Sequence, residues 1–162
     1  MPSEELKRLV NDVELRDIGP FELIAIRGSI EPDGHRAVIG PSGGRAQFSP
    51  DDYPDPSLQL QTFLGEEDMT LLIRLRAHFE AEVGDLSVGV QAEYKVSDDW
   101  RGRFGTGLQL EFAELVGVMA ITPYLRHWCA ELTRNVFDTP LLLGILRSGD
   151  LRFSRDGVQE EA

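Results

Sequence analysis

Two neighbouring stretches of this sequence alternate apolar and polar side chains, and that pattern constrains the fold more than any other feature. In the first stretch, residues 73–83, every second residue is apolar and the residues between them are polar. The second stretch, residues 86–96, alternates in the same way apart from one glycine. A period of two is typical of a β-strand with one buried and one solvated face. The sequence therefore predicts two adjacent antiparallel strands that share a dry face.

The turn between these strands sets how their residues pair. Gly84 and Asp85 suit a two-residue hairpin turn of type I′ or II′, in which glycine accepts a positive φ. With that turn, Phe79 is expected to lie opposite Val90 across the strand pair.

Two further strands and a long loop are predicted before this hairpin. Residues 13–30 are predicted to form a strand with a bulge or a sheet edge at Gly19 and Pro20, because proline cannot donate to a sheet ladder. Residues 58–64 predict a second, shorter strand. Residues 31–56, between the two, are rich in proline and glycine and predict a long crossing loop.

A long helix and a short apolar run are predicted after the strands. Residues 121–136 place apolar side chains on one helical face, at Ile121, Leu125, Trp128, Cys129, Leu132 and Val136. Pro123 suits a first helical turn, where its missing N–H costs nothing. The helix is expected to end near Asn135, because residues 138–140 (Asp-Thr-Pro) block its continuation. An apolar tail, residues 141–146, follows at once.

Strands followed by a helix are the element order of an α+β domain. We predict a four-stranded antiparallel sheet with the long C-terminal helix packed on one face, in a single domain over residues 1–147. A short N-terminal helix is expected to begin at Ser3, which can cap it. Residues 148–162 are mostly polar and predict a frayed C-terminal tail.

Composition argues against several classes of partner. The 162-residue chain has a formal net charge of -12, so nucleic acid and anionic membrane surfaces are disfavoured. No apolar run approaches membrane-spanning length, and membrane insertion is not expected. The single cysteine, Cys129, excludes an intramolecular disulfide and fits a buried position in a reducing cytoplasm.

The candidate catalytic patterns are weak, and we predict that the protein is not an enzyme. Residues 40–44 match the G-x-S-x-G nucleophile elbow around Ser42, but the residues that follow are poor helix formers, so a loop is the preferred interpretation. His127 and Cys129 are two residues apart on a helix, so their side chains diverge. The histidines lack metal-ligand spacing, and neither a metal nor a cofactor is predicted.

The helix and the turn after it resemble the signature of the SecB family of export chaperones. There the helix opens on a Pro-Tyr-x-Arg pattern and a Pro-Leu turn follows it. The matching residues here are Pro123, Tyr124, Arg126, Leu132, Pro140, Leu141 and Leu143. The pattern is closer to the SecB-like chaperones that accompany some toxin–antitoxin systems, and it extends as an order of elements over residues 6–146.

This resemblance implies a function, an assembly and a site. The function is that of an ATP-independent chaperone, or holdase, which binds non-native polypeptide such as an export substrate or an antitoxin. The assembly is a homo-oligomer, a dimer of dimers. The site is a hydrophobic groove between the crossing loop and the apolar tail, with the expected lining residues Phe48, Tyr53, Leu58, Leu60, Leu142, Ile145 and Leu146. The family's long second helix is not expected here, because the sequence from Ser148 onward is polar and contains glycine.

Other interpretations stay open at this point. The same fold could serve as a non-catalytic adaptor or assembly protein with one folded partner. Phe48 and Tyr53 could attach the crossing loop to the body of the protein rather than present an adhesive surface. A hydrolase that uses Ser42 is the least favoured alternative.

Overall fold

The computed structural model describes residues 1–28 and 50–144, together with two short strands at 152–153 and 159–160. The helices are α1 (Glu4–Asn11), α2 (Thr106–Phe112) and α3 (Val118–Phe137). The strands are β1 (Val13–Arg27), β2 (Ser57–Gly65), β3 (Thr70–Ala81), β4 (Gly84–Val96), β5 (Arg152–Phe153) and β6 (Gln159–Glu160). Short 3₁₀ turns lie at Pro50–Asp52 and Asp98–Trp100, and a π-helical turn, Ala113–Gly117, joins α2 to α3.

Four strands form one antiparallel sheet in the order β1-β4-β3-β2, so β1 and β2 lie at its edges. Helix α3 packs on one face of the sheet and contacts β1, β4 and β3. The predicted α+β fold, a four-stranded antiparallel sheet with a long C-terminal helix on one face, is confirmed. The division into a domain at 1–147 and a frayed tail stays a prediction, since most of residues 145–162 lie outside the described part.

Burial along β3 and β4 follows the alternation in the sequence. The side chains buried beneath the helices are Leu71, Ile73, Leu75, Ala77 and Phe79 of β3 and Leu86, Val88, Val90, Ala92, Tyr94 and Val96 of β4. Each fully buried aliphatic side chain of this kind contributes ~1.5–3 kcal/mol. Apart from Gly89, the residues between them are at least partly exposed and form the outer face, the side of the sheet turned away from α3.

The predicted turn at Gly84 is wrong. The two-residue loop is 82–83, and Gly84 is the first residue of β4. Phe79 therefore lies opposite Leu86 rather than opposite Val90. The pairing is shifted by an even number of residues, so the same side chains remain on the dry face.

Gly84 is required by backbone conformation and by space. Its backbone φ is +142, a value that residues other than glycine rarely adopt. A Cβ at this position would lie 2.1 Å from the carbonyl oxygen of Ile26 on β1 and 2.8 Å from the ring of Phe137 on α3. The glycine in the sequence therefore marks a close approach of three elements rather than the hairpin turn.

Strand β1 runs through Gly19 and Pro20 without ending. Its pairing with β4 shifts register twice, between Leu15 and Asp17 and between Pro20 and Glu22. An edge strand tolerates a proline, because the N–H that proline lacks is not needed by a neighbouring strand. The predicted irregularity is confirmed both as a bulge and as an edge position.

Helices α2 and α3 and the π-helical turn form one helical run, Thr106–Phe137. The predicted position of Pro123 in a first turn is therefore wrong, because the helical run begins well upstream. Pro123 and Met119, four residues earlier, are both exposed. The carbonyl that loses its N–H donor to the proline thus lies on the solvent side of the helix, where water can replace that donor.

The predicted apolar face of α3 is confirmed at its centre and corrected at one side. Ile121, Leu125 and Cys129 are buried against the sheet. Trp128, Leu132 and Val136 also pack against the core but are only partly buried.

Helix α1 begins at the predicted cap. The Ser3 hydroxyl accepts a hydrogen bond from the Leu6 N–H at 3.1 Å. The backbone N–H and the hydroxyl of Ser3 also donate to the Glu111 carboxylate, each at 2.7 Å. With Leu6 and Leu9 buried, these bonds attach α1 to α2.

Candidate functional site

The chain turns back along α3 after the helix ends, and this return segment, residues 138–144, carries the first part of the predicted apolar tail. Asp138 begins the segment with a φ of 65, the left-handed conformation that commonly ends a helix. The Arg27 guanidinium of β1 donates to the Asp138 carboxylate at 3.1 Å in a partly buried ion pair. The first residue of the return segment is therefore attached to the sheet.

Two hydrogen bonds attach the rest of the return segment to α3. The Leu141 N–H donates to the Thr133 hydroxyl at 2.6 Å, and the Arg126 Nε donates to the Leu143 carbonyl at 3.0 Å. The side chain of Leu142, between these two bonds, is 66% exposed. The segment therefore presents one large apolar side chain from a backbone that hydrogen bonds hold on both sides.

The end of the crossing loop is attached to the return segment by Tyr53. The Tyr53 hydroxyl donates a hydrogen bond to the carbonyl oxygen of Thr139. Its ring lies 5.7 Å from that of Phe79 and 6.3 Å from that of Phe137, between centroids. In this structure Tyr53 attaches the loop to the body, which was one of the two interpretations of this aromatic residue.

The stability at high pH is expected to depend on Tyr53. Burial raises the pKa of Tyr53 to about 12, so the folded state favours the neutral phenol. The neutral phenol of Tyr53 therefore contributes to the free energy of unfolding. This contribution is complete below the ordinary pKa of 10.0 and is lost as the pH rises towards about 12. We expect the free energy of unfolding of wild type to fall by ~2–3 kcal/mol over this pH range. In Tyr53→Phe, which has no phenol at this position, this part of the pH dependence should be absent.

Urea unfolding of wild type and Tyr53→Phe, at several pH values between about 8 and 12, measures this difference. Tyr94 and Cys129, whose pKa values burial also raises, contribute equally to both proteins. Equally steep losses of stability in the two proteins would contradict the prediction.

The predicted groove residues occupy different environments. Tyr53 and Leu60 are buried, with 8% and 6% exposure. Leu58 is half-buried on β2, and Leu142 is exposed on the return segment. Phe48, Ile145 and Leu146 lie outside the described residues. The structure thus brings the loop and the return segment together at Tyr53 and Thr139, while the lining of the groove stays a prediction.

Three apolar side chains form a row on α3 that we call the open flank: Tyr124, Trp128 and Leu132. Tyr124 is 44% exposed, and the other two side chains are partly buried. Residues four apart lie on the same side of a helix, so these three form a continuous strip. That spacing was visible in the sequence, but Trp128 and Leu132 were assigned to the buried face.

The described residues assemble no metal site. They contain no group of three or more His, Cys, Asp or Glu side chains that could hold a metal ion. Burial raises the pKa of the Cys129 thiol to about 12, so the thiol is protonated at neutral pH. Ser42 and its G-x-S-x-G pattern lie outside the described residues.

The helical run Thr106–Phe137 is long and apolar enough to cross a membrane by length and composition alone. Half of its most apolar window is buried within the fold. The buried core helix of a soluble protein meets the same criterion, so this feature is weak evidence for a membrane span.

No protein-family model matches the sequence, and no curated protein matches it either. Solved structures do match the fold. One is the SecB-like chaperone Rv1957 of Mycobacterium tuberculosis, in complex with a ChAD peptide from the HigA1 antitoxin. The match has 20% sequence identity and a TM-score of 0.62, and it covers 88% of this chain and 98% of that chain. A protein of unknown function from Streptococcus agalactiae matches at 9% identity with a TM-score of 0.45, over 82% of this chain and 97% of that one.

The described structure defines a class of protein: a four-stranded antiparallel sheet, covered on one face by a C-terminal helix, with an apolar segment returning along that helix. Rv1957 shares this fold over 98% of its chain. The chain has the fold of that SecB-like chaperone, and the resemblance noted in the sequence is confirmed at the level of the fold.

Proposed function

We propose that this chain is an ATP-independent chaperone that binds non-native polypeptide, such as an export substrate or an antitoxin. The observation that carries the proposal is the SecB-like fold, shared over 98% of a chain whose structure contains an antitoxin peptide. The binding would be non-covalent, and we expect it to require neither a cofactor nor a nucleotide.

The proposed client site is the corner where the crossing loop meets the return segment. Leu142 supports this location, because its exposed side chain is held by a hydrogen-bonded backbone on both sides. Leu58, Phe48, Ile145 and Leu146 are proposed to extend the same apolar surface. Tyr53 and Leu60 are buried in the described state and would form its floor. Each client side chain buried there would contribute ~1.5–3 kcal/mol, so several weak anchors give useful but reversible affinity.

The proposed assembly is a homo-oligomer, a dimer of dimers, in the cytoplasm. The open flank of α3 supports it, because a strip of three large apolar side chains is more easily explained by a partner surface than by solvent. Native mass spectrometry at micromolar concentration tests the assembly, and finding only an 18.1 kDa species would contradict it.

Replacement of Leu142 by serine is expected to weaken client capture about tenfold, because one anchored leucine is worth at least ~1.5 kcal/mol. The measurement is the aggregation of a chemically denatured client on dilution, without nucleotide, as a function of chaperone concentration. Val10→Ser is the matched control, since Val10 is a 44% exposed apolar side chain on α1, away from the corner. Both variants should melt like wild type, because both positions are exposed.

Three outcomes are informative. Loss of capture in Leu142→Ser with full capture in Val10→Ser supports the proposed site. Equal capture by all three proteins moves the site away from Leu142. No suppression by wild type, tested against several unrelated clients, would overturn the general chaperone and favour an adaptor with one folded partner.

A further inference from the structure

The outer face of the sheet carries two arginines packed on two phenylalanines. The guanidinium carbon of Arg74 lies 4.9 Å from the ring centroid of Phe21 and 5.3 Å from that of Phe63. The guanidinium carbon of Arg76 lies 5.6 Å from the centroid of Phe21. We call Phe21, Phe63, Arg74, Arg76 and Gln91 the outer-face cluster. Its residues come from all four strands of the sheet.

Two irregularities of the sheet create the space for this cluster. The register shift between Pro20 and Glu22 leaves Phe21 without a partner in β4. The Phe21 ring lies over Gly89, where an added Cβ would approach the ring to 2.4 Å. Glycine in the middle of a strand commonly marks a close approach of another group. Here that group is an aromatic ring, which holds the two guanidinium groups on the outer face.

The hydrogen-bonding capacity of Arg74 is largely unused. Its Nε donates to the side-chain oxygen of Gln91 at 2.7 Å. Within the described residues, no carboxylate lies within ion-pair distance of Arg74, whereas Arg76 pairs with Glu22 at 2.9 Å. This is notable in a chain with 28 acidic and 16 basic residues. The terminal nitrogens of Arg74 thus remain able to donate to an external carboxylate, and the two rings and Gln91 fix the guanidinium that carries them.

Apolar side chains border the cluster. Ile24 and Ile26 of β1 are 44% and 42% exposed, and Phe63 is 46% exposed. Ile24 and Ile26 line a hollow of about 380 Å³ on the outer face, together with Arg76, His78 and the acidic residue Asp85. A hollow of this size accommodates an apolar side chain beside the charged group of the cluster.

We propose that the outer-face cluster binds an acidic peptide segment of a partner protein, in which Asp or Glu stands beside an aromatic or aliphatic residue. A guanidinium that two aromatic rings and a glutamine hold in place suits a carboxylate, which it can bind through two parallel hydrogen bonds. The neighbouring apolar side chain would enter the hollow beside Ile24 and Ile26. This site lies on the opposite face of the sheet from α3 and the return segment. It is therefore independent of the client site proposed above.

The test uses a fluorescein-labelled peptide in which Asp and Glu alternate with Phe and Leu, and a second peptide with Asn and Gln in place of the acids. Fluorescence anisotropy with the full chain should show at least tenfold tighter binding of the acidic peptide. Arg74→Gln should reduce its affinity to that of the amide peptide, and Arg74→Lys should recover only part of it, because lysine lacks the planar fork. Arg134→Gln is the matched control, an exposed arginine on α3, and should bind like wild type.

Four results would overturn the proposal, and the first three concern the labelled peptides. These three are equal binding of the two peptides, unchanged binding by Arg74→Gln, and displacement of the acidic peptide by a denatured client, which would place both ligands at one site. The chain's own acidic C-terminal end is a competing occupant. Tighter peptide binding after Glu160→Gln and Glu161→Gln would assign the cluster to that end and reject the external partner.

The two proposals fail separately. Arg74→Gln should suppress client aggregation as wild type does, and Leu142→Ser should bind the acidic peptide as wild type does. A failure of aggregation suppression in wild type leaves the peptide measurement intact.

Discussion

Gly84→Ala is expected to lower the free energy of unfolding by ~3–5 kcal/mol, which is a large part of the stability of a domain of this size. Two costs add at this position. The φ of +142 strains any residue with a Cβ, at ~1–3 kcal/mol. The new methyl group would also lie 2.1 Å from the Ile26 carbonyl oxygen and 2.8 Å from the Phe137 ring, and overpacking costs ~1–3 kcal/mol. Neither the β1 backbone nor the helix can move aside without breaking sheet pairing or core contacts.

Urea unfolding followed by circular dichroism measures the effect. Gly107→Ala is the matched control, because an added Cβ at Gly107 meets nothing within 4 Å and the residue lies inside α2. Alanine favours a helix over glycine by ~0.5–1 kcal/mol, so the control should be slightly more stable than wild type. A Gly84→Ala protein as stable as wild type would mean that β4 begins differently from the structure described.

The strands and their buried faces could be predicted because side-chain period is a local property. Alternation in residues 73–96 identified the dry face of β3 and β4 correctly, even though the predicted hairpin register was wrong. The error arose at Gly84, where a glycine was interpreted as a turn residue. Its actual cause is non-local, since the carbonyl of Ile26 and the ring of Phe137 come from other parts of the chain.

The position of Pro123 was missed for a similar reason. Proline at a first helical turn is the commoner case, so Pro123 was interpreted as the start of the helix. The structure instead joins α2 to α3 through a π-helical turn, so that one helical run extends past Pro123. Such a turn depends on how the helix packs on the sheet, which the sequence alone does not reveal.

The candidate client site could be predicted only as a region. The family resemblance predicted a groove between a proline-rich loop and an apolar tail, and the structure attaches the end of that loop to the return segment through Tyr53 and Thr139. Which of the apolar side chains are exposed depends on tertiary packing. Leu60 and Leu142 look alike in the sequence, yet one is 6% and the other 66% exposed.

The outer-face cluster was not predicted at all, because it needs the bulge of β1 and the register of all four strands.

Gly117→Val is expected to lower the free energy of unfolding by ~2–4 kcal/mol, because the π-helical turn brings the helix very close to the sheet at this residue. A Cβ at Gly117 would lie 2.6 Å from Cδ1 and 3.2 Å from Cγ2 of Ile73, which is fully buried on β3. Valine adds a branched side chain in the same space and also loses rotamer freedom in a helix. Urea unfolding again measures the change.

A pair of compensating substitutions tests whether close contact with Ile73 causes the loss of stability at Gly117. Ile73→Val removes the Cδ1 atom that a Cβ at Gly117 would meet first, at a cost of ~0.5–1.5 kcal/mol in wild type. In the Gly117→Ala background the same change should cost less or become stabilising, because it relieves the overlap, and the double-mutant cycle should give a coupling of at least ~0.5 kcal/mol. Additive effects would show that Gly117 is required for helix geometry rather than for contact with Ile73. A coupling of the expected sign would establish that the two residues, 44 positions apart in the printed sequence, set the distance between the helix and the sheet.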